Sequence, residues 1–83
     1  METNPMDATV FAEGRGYWHV NAAPSMRSLG DLTLAPDRTF TVTPDERSPL
    51  LGMAAGPYPS LETAMAAMAA HLGGTCTLAR RHF

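Results

Sequence analysis

The sequence predicts an α+β fold: a small antiparallel sheet of three to five strands, including two hairpins, packed by one helix in the C-terminal half over about residues 60–72. Three observations carry this. Residues 60–74 hold an apolar stripe at helical spacing between a start and a stop signal. Two pairs of β-rich runs flank short turns. Within the second pair, apolar and threonine positions alternate, as in a sheet with one covered face.

Residues 1–7 read as a loose, acidic terminus without the features of a secretory signal. Thr9 to Glu13 and Tyr17 to Asn21 read as strands around the hairpin loop Gly14-Arg15-Gly16. In the second run, Tyr17, His19 and Asn21 share one face, with Trp18 and Val20 on the other. Ala22 to Gly30 reads as a connection. Asp31 to Leu34 and Thr39 to Thr43 form a second hairpin. Its loop Ala35-Pro36-Asp37-Arg38 is a type I turn, with proline presetting φ at the second position. Pro44 to Pro49 is a charged turn, and the apolar run Leu50 to Ala55 reads as a further short strand interrupted by Gly52.

Pro57 and Pro59 block any earlier helical start, and Ser60 is the N-cap. Leu61, Ala64, Met65, Met68, Ala69 and Leu72 form the core stripe. Gly73 and Gly74 end the helix, because glycine accepts the left-handed conformation at little cost. Thr75 to Ala79 alternates and adds an edge strand.

Eighty-three residues, 45% hydrophobic and 17% charged, make one globular domain with a modest core. All six basic residues are arginines, so lysine Schiff-base and P-loop chemistry are excluded. A net charge of -2 disfavours a general phosphate-backbone binder. No apolar run reaches the ~20 residues of a membrane helix. One cysteine allows no intrachain disulfide, which fits a reducing cytoplasm.

The candidate chemistry is sparse. His71, Cys76 and His82 follow a His-x4-Cys-x5-His spacing that matches no standard zinc pattern. A Cys76 nucleophile with a histidine base has no recognisable motif around it. Asp45 and Glu46 sit in a proline-flanked turn, and Asp31 reads as a turn former after Gly30. Phe11, Tyr17, Trp18, Phe40 and Tyr58 could stack bases, but only Arg15 and Arg38 accompany them. Trp18 and Phe40 are expected in the core. No cofactor or metal site is expected, and no catalytic residue is assigned.

What remains is surface. Ala66 and Ala70 make a helix face poor in charge that permits close approach of a partner. Arginines and aromatics anchor interfaces, which singles out Arg15, Tyr17, Arg38, Arg80, Arg81 and Phe83. The resulting expectation is a non-enzymatic protein-binding module. Its partner is another protein or complex, reached without a membrane and without nucleic acid as direct ligand. An inhibitor of a host defence complex carried by a phage or mobile element, of the anti-CRISPR type, fits this size and acts by steric occlusion. The alternatives are a small thiol- or metal-dependent enzyme using Cys76 with His71 or His82, a single-strand binder using the sheet aromatics, and a homodimer through the alanine face or an exposed strand.

Overall fold

The computed structural model describes residues 6–23 and 25–79. Five strands and one helix follow the chain as β1 (Asp7–Gly14), β2 (Tyr17–Ala23), β3 (Ser28–Leu34), β4 (Phe40–Pro44), α1 (Leu61–Leu72) and β5 (Cys76–Leu78). The sheet order is β4-β3-β2-β1-β5. Neighbours pair antiparallel except β5, which runs parallel to β1. A parallel pair needs a crossover, and the segment carrying α1 supplies it across one face of the sheet.

The α+β expectation therefore holds. The first hairpin turns at Arg15-Gly16, with Gly14 opposite Tyr17 and Glu13 bulged. Gly16 takes φ 69°, and a β-carbon there would stand 3.3 Å from that of Leu34. The second hairpin turns as expected: the Arg38 amide donates to the Ala35 carbonyl at 2.9 Å. Asp37 Oδ1 accepts from the amide and hydroxyl of Thr39, so Asp37 stabilises the turn and its carboxyl lies below the usual range.

Three expectations need correction. Residues 22–30 are more than a connection: β2 extends to Ala23 and β3 begins at Ser28. The tight turn between them leaves Met26 at φ 62°, and the Ala22 amide donates to the Arg27 carbonyl. Leu50 to Ala55 is a series of turns, not a strand. Ser48 Oγ donates to the Leu29 carbonyl at 2.7 Å and accepts from the Leu50 amide, which plants Leu50 in the core. Hydrogen bonds from Val42 to Ala55 and between Phe40 and Tyr58 then cover the β4 edge. The terminus expected to be loose is tied down where it is described. Met6 donates to the Leu72 carbonyl, and Asp7 Oδ1 receives the amide and hydroxyl of Thr75. Residues 1–5 lie outside the described residues.

The helix begins and ends where its signals place it. Ser60 Oγ accepts the Thr63 amide at 3.0 Å, and Gly73 caps the far end at φ 74°. Ala64, Met68 and Leu72 are buried; Leu61, Met65 and Ala69 are half-buried. They cover a sheet face made of Ala8, Val10, Val20, Ala22, Leu32 and Val42, joined by Leu29 and Leu50. Trp18 and Phe40 pack at the margin of this core, ring centroids 5.5 Å apart and tilted 51°. Burying this apolar surface is the main stabilising term. No helix among the described residues is long and apolar enough to cross a membrane.

Candidate functional site

The helix covers one sheet face only. The strand period of two places Thr9, Phe11, Tyr17, His19, Asn21, Asp31, Thr33, Thr41 and Thr43 on the other face. None of these nine residues is buried. The threonines give the wet face that alternation predicted.

A polar cluster lies across the middle of this face. The β2–β3 register sets His19 opposite Asp31, with Tyr17 one strand repeat away. Asp31 Oδ1 accepts from the Tyr17 hydroxyl at 2.8 Å and from His19 Nδ1 at 2.8 Å. An ionised carboxylate can only accept, so Nδ1 carries the proton and Nε2 points its remaining capacity elsewhere. The His19 and Asp31 side chains are 31% and 33% exposed. The bond to Asp31 also holds the Tyr17 phenol above its ordinary value, because ionising it would lose that bond and set a phenolate beside carboxylates.

Asp31 is therefore not a turn former. It is the second residue after a bulge that inserts Leu29 between Ser28 and Gly30. Gly30 is required there, since a β-carbon would come within 2.5 Å of the Thr43 carbonyl oxygen. His19 and Asp31 were not singled out as site residues from sequence; the available signal was the position of His19 two residues after Tyr17.

The expected partner-binding residues fall on separate surfaces. Tyr17 belongs to the cluster. Arg15 and Arg38 sit exposed in the two turns at the same end of the sheet. Ala66 and Ala70 are exposed on α1, in the opposite layer. Arg80, Arg81, His82 and Phe83 lie outside the described residues. The aromatics also divide: Phe11 and Tyr17 face outward, while Trp18, Phe40 and Tyr58 pack against the core.

Cys76 is half-buried on β5, and burial pushes its thiol up to about 11. That is opposite to the activation a nucleophile needs. His71 is exposed in the last turn of α1. Among the described residues, no three His, Cys, Asp or Glu side chains could hold one metal ion. A cleft of about 260 Å³ opens at the other end of the sheet, beside Arg27, Arg47 and Asp45. Two of its three serine hydroxyls are committed internally, Ser28 to Asp45 and Ser48 to the Leu29 carbonyl. Comparison with protein-family models, with curated proteins and with solved structures yields no match.

Proposed function

We propose that the chain is a non-enzymatic protein-binding module whose working surface is the helix-free face of the sheet. The observation that carries this is the Tyr17–Asp31–His19 cluster: an organised set of polar and aromatic groups on a face where nothing is buried. A rigid sheet holds it, so little ordering entropy is lost on docking. Tyrosine supplies contact area at low conformational cost. The narrower form of the reading is an inhibitor that occludes the surface of a host defence complex; small size and a surface-borne cluster suit that task.

The alternatives have less support. Asp31 and His19 resemble the orienting half of a catalytic triad, but among the described residues no serine, threonine or cysteine hydrogen-bonds His19 as a nucleophile would. The Cys76 thiol is raised rather than activated. A stacking platform for bases would keep only Phe11 and Tyr17, beside the carboxylate of Asp31, which repels phosphate.

Homodimerisation is favoured by one specific observation. The Ala8 amide bonds Thr75 and the Ala79 amide bonds Val10, so the backbone groups of Cys76 and Leu78 point away from β1. Leu78 is also 47% exposed. Light scattering of wild type and Leu78→Pro tests this, because proline removes an outward donor and leaves the β1 ladder intact. A wild type that is monomeric at high concentration ends the dimer reading.

The main reading is tested by quantitative capture on immobilised chain from the native host. A partner retained by wild type and by Ala66→Arg, and lost with Tyr17→Ala, is the expected result. Loss with Ala66→Arg alone moves the interface to the helix and overturns the assignment.

A further inference from the structure

We propose that the cluster of Tyr17, His19 and Asp31 receives an arginine side chain of the protein partner. The inference rests on the protein-binding reading and adds the chemistry of the contact.

Tyr17 and His19 both direct a donor inward, to the same oxygen of Asp31. Toward a visitor the cluster therefore presents the second carboxylate oxygen of Asp31 as an acceptor. Asp31 Oδ2 has no protein donor among the described residues. Beside this acceptor lie two aromatic rings. Tyr17 is 38% exposed, and Phe11 stands opposite His19 on β1.

The charged groups that act on Tyr17 are carboxylates, those of Asp31, Glu13 and Asp45. Among the described residues no arginine pairs with Asp31 or Glu13, although Arg15 and Arg38 occupy the turns at that end. A cation is thus the complementary visitor, and an anionic group is repelled. A guanidinium suits the geometry better than an ammonium. It is planar, stacks on an aromatic ring such as that of Tyr17, and brings a fixed fork of donors to the free oxygen of Asp31. It is also more weakly hydrated, so less is lost on leaving water.

The test is an NMR titration of the full chain with N-acetyl-arginine amide, N-acetyl-lysine amide and N-acetyl-citrulline amide at matched concentrations. Citrulline keeps the shape of arginine and removes its charge. The expected result is a saturable shift at Tyr17 and His19 with arginine, several-fold smaller with lysine and absent with citrulline. Asp31→Asn, checked for an unchanged amide spectrum elsewhere, should abolish the arginine shift. Equal responses to arginine and citrulline, no saturable response, or an undiminished response in Asp31→Asn each overturn the inference. If partner capture is still lost with Tyr17→Ala while the arginine probe fails, the arginine contact falls and the protein-binding reading stands.

Discussion

Asp31→Asn should separate binding from folding. The substitution keeps the volume of the side chain and one acceptor oxygen while removing its charge. Asp31 makes two side-chain bonds, each 2.8 Å. Fully desolvated, bonds to a charged group contribute about 1.5–3 kcal/mol each. Here the His19 and Asp31 side chains are about a third exposed, and exposed ion pairs contribute only about 0.2–1 kcal/mol. The asparagine oxygen can still accept from Tyr17. The expected loss is therefore below about 1 kcal/mol, against a total of roughly 4–12 kcal/mol for a domain of this length. The spectroscopic effect should be larger. The bond to Asp31 holds the Tyr17 phenol above its ordinary value, so its phenolate absorbance should appear at lower pH in the variant. Tyr58 donates to the Ala54 carbonyl and does not share the carboxylate. The sign for stability follows: the wild-type contribution of the Tyr17 bond is present below pH 10 and is lost as pH rises through the raised value. Urea unfolding and ultraviolet titration read the two effects. An unshifted Tyr17 titration, or a stability loss of several kcal/mol, would refute the reasoning.

Other consequences are equally direct. Burial pushes the Cys76 thiol up to about 11, so its alkylation by iodoacetamide at neutral pH should be about tenfold slower than that of an unfolded control, the smaller thiolate fraction being partly offset by the greater nucleophilicity of a more basic thiolate; equal rates contradict the burial. Gly30→Ala forces a β-carbon against the backbone of Thr43 and Pro44 and should cost about 2–3 kcal/mol in urea unfolding. A loss under about 0.5 kcal/mol would show that the bulge relaxes freely. Arg38 holds φ 69° without being glycine, so Arg38→Gly should raise stability by about 0.5–1 kcal/mol, relieving the steric cost of that conformation. A destabilised variant would mean the arginine makes compensating contacts.

The helix and the second hairpin were legible because their signals are local. Ser60, Gly73 and the apolar stripe act within a few residues, and Pro36 presets its own turn. The β2–β3 pairing was not legible. Its turn places Met26, not glycine or asparagine, in the left-handed region, and Leu29 adds a bulge that shifts the register. Without that register Asp31 had no visible partner, although alternation had already set Tyr17 and His19 on one face. Leu50 to Ala55 misled because an apolar run bounded by turns suits a strand or a buried loop. What decides between them is the distant contact of Ser48 with Leu29. The parallel pairing of β5 likewise depends on where the helix delivers the chain, anchored by Asp7 and Thr75.

The sharpest single measurement is the affinity of the captured partner for three immobilised chains: wild type, Tyr17→Ala with Asp31→Asn, and Ala66→Arg with Ala70→Arg. If contact is made through the uncovered sheet layer, the first pair of changes weakens binding by at least about tenfold, or roughly 1.4 kcal/mol, and the helix pair leaves it near wild type. Undiminished affinity after the tyrosine and aspartate are altered would mean that the partner docks somewhere else.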